Sequence, residues 1–440
     1  MSSLLHLGIF GSYNASSQGD LAILEGILTQ LSEGFPSAAV TVFAFDPPFV
    51  QQALGKRFPN LRTVAARPGL RQAGSSQRPS APSRPPQGPE RRGRIWTRWP
   101  FLYDLLVVLR FSPFWLRQLQ RLRTLDVLLI GGGGLLVDLY PQWPLYPLLY
   151  VLLARLARIP VVFYAVGVGP VRSRRGRTYF SLALNLSQSI TVRDSHSFAQ
   201  AQRLLSNPKK LRQAADPAFA LTPSTPSPSL RPRSSPLPRI GLSTASLYRP
   251  GDWPIADPAL YRTYIHRMAA LAAALANALP AQILFFSTNC PKDLHTAQDI
   301  LHATRPLLRQ GSAEVFPSCD LEALAAFLPT LDLVIGTRLH SLILALLHQV
   351  PILALAYQEK VASLCADLGM ADLSFPIAPL LAADEAPFAH LQQEMLSKAQ
   401  DLLAHPEAYR HRWAAPVAAQ RAAAAESLKM VQQVLQAKRP

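Results

Sequence analysis

Residues 332–347 read DLVIGTRLHSLILALL and join two patterns. Leu331 to Ile335, apolar but for Asp332, has the pattern of a buried strand. Gly336 and Thr337 break it, and from Ser341 onward the apolar residues suit a buried helix. A strand turning through glycine into a helix is the repeating unit of a parallel α/β sheet. With Thr337 as N-cap, Arg338 and His340 fall in the first helical turn. The positive end of the helix dipole lies there, so the helix itself disfavours a cation. An anionic ligand accounts for Arg338, because a guanidinium holds a carboxylate or phosphate as a planar fork. His340 beside it is the first candidate for proton transfer.

The same rhythm extends outward from this junction. PILALAY (351–357) reads as the next strand, and Lys360 lies just past its end as a further anion contact. Upstream, RIGLSTAS opens a strand, residues 260–279 a helix of small residues, and AQILFFST (281–288) another strand. The Pro/Ser-rich stretch 222–238 marks a linker. Before it, strands are expected at 4–10, 39–45, 125–130, 160–169 and 189–194, with a helix from about Asp20 to Leu31. The predicted division is an N-terminal domain over 1–221, a C-terminal domain over 239–395 and a helical tail over 396–440.

Ligands of such sheets sit outside the carboxyl ends of the strands, and the unusual residues gather there. Gly11, Gly19 and Asp20 follow the first strand. Gly131, Gly132, Gly133 and Gly134 follow the strand at 125–130 and are read as a ligand-facing loop leading into a helix. Gly167 and Gly169 precede a basic stretch, VRSRRGR, and Arg193–Asp194 ends the strand at 189–194. An exposed Arg193–Asp194 ion pair would contribute little. Asp20 and Asp138 are secondary acid candidates, each also suited to capping a loop or helix.

Composition bounds the remaining classes. The 440 residues carry 44 Lys+Arg against 27 Asp+Glu, a net charge of +17, which favours anionic partners. No zinc-finger spacing, RNA-stacking motif or helix-turn-helix is present, so nucleic acid is not the expected partner. Cys290, Cys319 and Cys365 are far apart and form no CxxC pair; reduced thiols and no metal site are expected. The N-terminal MSSLLHLGIFGSYN lacks the basic start and apolar core of a signal peptide. LYPLLYVLLARLARIPVVFYAVGVG is interrupted by Arg155, Arg158 and Pro160, and reads as a buried helix followed by a buried strand. Residues 67–100 hold eight arginines and one glutamate among prolines, the composition of a disordered cationic surface loop that an acidic membrane would attract. FLYDLLVVLRFSPFWLRQLQRLR behind it could rest on a membrane surface, but an ordinary core helix is the expected reading.

GSYNASSQGDLAIL, DVLLIGGGGLLVD, VVFYAVGVGP, SITVRDSHS, DPAFAL and DLVIGTRLHSLILALLHQVPILALAYQEKV, taken in that order, resemble the polysaccharide pyruvyl transferase family. The chain departs from the family pattern in a longer N-terminal loop and in Leu21, where an acidic residue is usual. The resemblance implies two Rossmann-like domains facing across a cleft, a glycosyltransferase-B-like fold. It implies transfer of a pyruvyl group from phosphoenolpyruvate to a sugar, as a ketal, without a cofactor. The donor contacts it implies are Arg338, Leu339 and His340, with Arg193 and Lys360. The implied acceptor is a cell-wall or S-layer-anchoring glycan carried on a lipid, handled in the cytoplasm or on the inner face of the plasma membrane. The competing readings are a sugar-nucleotide-dependent glycosyltransferase of the same fold and a catalytically silent, membrane-associated glycan-binding protein.

Overall fold

The computed structural model describes residues 4–68, 100–138, 143–222, 237–253 and 255–438. The cationic loop expected over 67–100 and the linker expected over 222–238 therefore lie almost wholly outside the described residues.

The first sheet has seven strands: β1 His6–Phe10, β2 Ala39–Ala44, β3 Leu61–Ala65, β4 Val127–Gly131, β5 Val161–Val166, β6 Ser189–Val192 and β7 Leu211–Gln213. Their order is β3-β2-β1-β4-β5-β6-β7. The second sheet has six: β8 Arg239–Ser243, β9 Gln282–Phe286, β10 Ser312–Val315, β11 Leu333–Gly336, β12 Ile352–Ala356 and β13 Ser374–Pro376, ordered β10-β9-β8-β11-β12-β13. Every pairing is parallel, with Leu7 opposite Val127 across β1 and β4, and Val334 opposite Gly241 across β11 and β8. These are two Rossmann-like domains. Strand order reverses between β1 and β4 in one domain and between β8 and β11 in the other. Of those four strands, β1, β4 and β11 carry at their carboxyl ends loops singled out in the sequence, and the neighbouring β5, β6 and β12 carry the others.

Each central strand is buried on both faces, which explains the unbroken apolar runs. Helix Gln18–Gly34 starts where Ser17 accepts a hydrogen bond from the Asp20 amide at 3.2 Å. Its buried Leu21, Leu24, Ile27, Leu28 and Leu31 recur at helical spacing. One apolar core runs from that helix through Phe219 to Leu339, Leu342 and Ile343 of the second domain, so the domains share buried contact. A second core, on the other face of the first sheet, is built on Trp115, Tyr150, Phe163 and Phe180. The chain ends in three helices, Ala386–Ala404, Pro406–Ala424 and Glu426–Lys438. The last returns to the first domain, where Ser427 Oγ lies 2.7 Å from Thr191 Oγ1 behind β6.

Three local expectations are corrected. The glycine run after β4 does not open a helix; Leu136 pairs with Val168 as an extended segment, and the next described helix is Leu145–Ala157. Positive φ at Gly132 (82°) and Gly133 (71°) sends the chain along β5 instead. The stretch expected to be a core helix forms two helices, Pro100–Arg110 and Ser112–Leu122, and the first turns its leucines outward. Cys290 and Cys319 are joined as a disulfide, with Cα atoms 6.1 Å apart, and only Cys365 is a free, buried thiol. Distance along the chain concealed that pairing, because the β9 and β10 crossovers end side by side.

Candidate active site between the domains

The two switch points face each other. Gln18 N donates to Thr288 O at 3.0 Å, and Ser17 bridges Asn289, so the start of helix Gln18–Gly34 is seated on the loop after β9. His340 projects from helix Leu339–Leu347 onto Gly19. A Cβ at Gly19 would stand 2.1 Å from His340 Nδ1, so only glycine leaves room for the imidazole.

The local start of that second helix differs from the expected one. Arg338, not Thr337, is the N-cap, with φ −93° and ψ 134°. Thr337 instead donates through Oγ1 to Ser243 O at 3.0 Å, tying β11 to β8. Arg338 does meet an anion, but a protein one. Its Nε and Nη2 hold the carboxylate of fully buried Asp293 at 2.6 and 2.7 Å, and Nη1 donates to the Tyr357 hydroxyl at 2.8 Å. Asp293 also accepts from Ser246 N at 2.9 Å. The side chain remains 18% exposed, and one N–H on each Nη is left for a further acceptor.

Arg193 is not in the surface ion pair considered from sequence. It is buried, donating from Nε to Asp194 at 3.2 Å and from Nη1 to Asp216 at 3.1 Å. Gly167 makes this possible: a Cβ there would lie 2.9 Å from Arg193 Nη2. Asp216 is shared. His340 Nε2 lies 3.5 Å from its Oδ2, a loose approach that completes no hydrogen bond and leaves this buried ring nitrogen unsatisfied. Burial alone would raise the Asp216 pKa, but His340, Arg193 and the Ala218 amide bring it down to about 2.

Asp20 and Lys360 complete the group. Burial raises the Asp20 carboxyl, partly offset by His340, Ser17, Lys360 and Arg193. Burial, with the positive charges of Arg193 and Arg338, lowers Lys360 to about 7. A carboxyl group whose pKa burial raises and an amine whose pKa burial lowers thus share one enclosure with an imidazole and two guanidiniums. Leu339 is buried beside them. Arg193, Asp216, Leu339 and Lys360 line a cavity of only about 10 Å³, so the domains are closed on each other here.

Gly19, Asp20, Gly133, Gly167, Arg193, Arg338, Leu339, His340 and Lys360 are therefore brought to one place. Gly133 belongs because its missing side chain makes room for Asp20 Oδ1. Gly11 and Gly131 pack instead around Tyr13, whose hydroxyl donates to Gly131 O at 2.6 Å. Gly132 faces Ile23 and the Tyr13 hydroxyl, and nothing but Val137 approaches Gly134. Gly169 lies beside His196 and Gln200, away from the group. Asp138 loses its candidacy as an acid, since it accepts from the Arg172 and Ser173 amides and holds a loop. In the basic stretch, Arg175 is buried against Asp104, and Arg172, Arg174 and Arg177 are exposed. Asp216 and Asp293 were missed. Asp216 precedes a proline at a strand end, the one hint of a fixed carboxylate; Asp293 in a first helical turn looks like ordinary capping. Among the described residues, no group of three or more His, Cys, Asp or Glu is placed to hold a metal ion.

Comparison with known proteins agrees with this architecture. A putative UDP-N-acetylglucosamine 2-epimerase from Listeria monocytogenes superposes with a TM-score of 0.62 at 12% identity, over 99% of this chain and 98% of that one. The UDP-GlcNAc 2-epimerase of Neisseria meningitidis bound to UDP-GlcNAc gives 0.58 at 12% identity, over 99% and 100%. Anabaena HepE in complex with UDP gives 0.54 at 11%, over 99% of both chains. At such identities the likeness is one of fold, the glycosyltransferase-B-like arrangement of two Rossmann-like domains. No curated protein matches the sequence. The sequence pattern of polysaccharide pyruvyl transferase matches residues 19–359, from the glycine under His340 to the residue before Lys360. The chain belongs to the polysaccharide pyruvyl transferase family.

Proposed function

We propose that this enzyme transfers the pyruvyl group of phosphoenolpyruvate to a sugar of a cell-surface polysaccharide or its lipid-linked precursor. The observation that carries the reading is the gathering of Arg193, Arg338 and Lys360 around His340 and Asp20 at two facing switch points. A donor bearing a carboxylate and a phosphate suits three cationic side chains and a helix start.

The reaction balances as follows. A proton adds to the methylene carbon of the donor, which becomes the methyl group, and C2 becomes oxocarbenium-like. One sugar hydroxyl attacks C2 and releases its proton. The C2–O bond to phosphate breaks, phosphate leaves, and a second hydroxyl attacks C2 to close the ketal. Of the two hydroxyl protons, one replaces that delivered to the methylene carbon and the other leaves on inorganic phosphate. One acid and one base are required. Asp20, held toward its protonated form by burial, suits the acid. His340, whose Nε2 lies 3.5 Å from Asp216 Oδ2, suits the base and proton carrier. Arg193 and Lys360 suit the donor's anionic groups, and Arg338 offers its remaining N–H groups while fixed by Asp293.

The test is phosphate release from phosphoenolpyruvate in the presence of lipid-linked disaccharides, with the ketal methyl followed by NMR. One phosphate per ketal is expected. Sugar transfer from UDP-sugars without any ketal would favour the glycosyltransferase reading instead.

A further inference from the structure

We propose that the outer helical layer of the first domain is a docking surface for an anionic membrane. Among the described residues, thirteen large apolar side chains stand exposed, and nine of them lie in four helices that cover one face of the first sheet. These helices are Pro100–Arg110, Ser112–Leu122, Leu145–Ala157 and Arg174–Leu186. They adjoin one another. Trp115 meets the Tyr146 and Tyr150 rings, and Phe101 meets Tyr179.

Helix Pro100–Arg110 is turned inside out. Phe101, Leu102, Leu105, Leu106 and Leu109 are each 49–59% exposed. At 100° per residue they form one continuous stripe about 140° wide. The side that faces the protein carries Asp104, which is buried and accepts from Arg175 Nε at 2.7 Å and from the Tyr179 hydroxyl at 2.8 Å. A carboxylate turned inward and locked by an arginine fixes the leucines outward. The neighbouring helices continue the surface with Leu116, Leu152, Leu156 and Leu182.

Charge selects the occupant. Asp104 is the only carboxylate in the four helices, whereas Arg110, Arg117, Arg121, Arg155, Arg174 and Arg177 are all exposed. Beside Leu156 opens a groove of about 780 Å³ lined by Arg155, Arg158, Lys209, Lys210, Arg212 and Lys438 and by no carboxylate. Leucines for the acyl boundary, ringed by arginines for the headgroups, match an anionic bilayer surface. A second copy of this chain is a poor fit, because two such faces would bring arginines against arginines. No described helix is long and apolar enough to cross a membrane, so this is contact with one leaflet's surface. The layer flanks the first sheet, whereas the site lies at its carboxyl edge, so docking leaves the site uncovered.

The test is flotation of the full chain with phosphatidylcholine vesicles, with or without phosphatidylglycerol. The wild type should float only with the anionic vesicles, and less as salt rises. Arg110→Glu with Arg117→Glu should weaken binding on the order of 30-fold. Leu105→Gln with Leu109→Gln should weaken it at least about tenfold. Both pairs are exposed, so thermal midpoints should match the wild type and exclude misfolding. Wild type that ignores anionic vesicles, or binding unchanged in both variants, overturns the proposal. So does a concentration-dependent dimer that the leucine pair dissolves, which would assign the face to a second copy.

Discussion

His340 and Gly19 are the residues on which the account turns, and they belong to opposite domains. Gly19→Ala should favour its helix, since alanine exceeds glycine by about 1 kcal/mol in a helix interior and somewhat less near its start. Yet the new methyl would stand 2.1 Å from Nδ1 of the His340 imidazole, so the ring must move away. The expected variant is as stable as wild type and turns over on the order of 100-fold slower; a thermal melt beside a turnover assay reads both. His340→Gln should lose a similar factor with the fold intact, and normal turnover would make it a structural histidine. Arg338→Ala carries a different meaning from the one its sequence position suggests. It leaves the Asp293 carboxylate buried without its guanidinium, so about 3–5 kcal/mol of stability should be lost in denaturant titration. Weakened donor binding in that variant counts only after folding is confirmed. The sequence displayed the arginine but concealed the carboxylate that already holds it, 45 positions away.

At the scale of elements, the strand–glycine–helix junctions were legible because apolar runs and glycines leave few alternatives to a parallel sheet. The start of helix Leu339–Leu347 was misplaced by one residue, since Thr337 satisfies a carbonyl of β8 rather than its own helix. The glycine run after β4 was misread for a related reason: pairing with Val168 outcompetes a helix start, and no local pattern reports it. Helix Glu359–Asp367 presents Lys360 at its first turn, and there a pH dependence is expected. Lys360 falls from an ordinary 10.5 to about 7 on folding. Between those values the unfolded chain binds the proton and the folded chain does not, so stability rises with pH across that window. Lys360→Met should therefore gain on the order of 3–5 kcal/mol near pH 6, and the gain should fade as pH rises and vanish above about 10.5. Denaturant midpoints across that range check the sign; a constant difference would show that the lysine is not held in its neutral form. Asp216 acts oppositely. Its folded value of about 2 lies below the ordinary 3.8, so its contribution is present above 3.8 and is lost as pH falls toward 2.

The whole molecule is two sheets closed on a site that neither domain completes. Gly19, Asp20 and Arg193 come from one side and Arg338, His340 and Lys360 from the other. Domain count and fold class were readable from the α/β rhythm on both sides of the Pro/Ser stretch. The closure was not, because it depends on contacts such as Gln18 to Thr288 that join positions 270 residues apart. If phosphoenolpyruvate is the donor, its anionic groups come to lie beside Lys360, which is largely discharged at pH 8, and should draw a proton onto it. Calorimetric titration of phosphoenolpyruvate at about pH 8, in buffers of different ionisation enthalpy, measures that proton directly. Saturable binding with net proton uptake is expected, with weaker binding and no uptake in Lys360→Met, and no saturation by UDP-N-acetylglucosamine. Saturation by the sugar nucleotide, with no heat from phosphoenolpyruvate, would contradict this expectation.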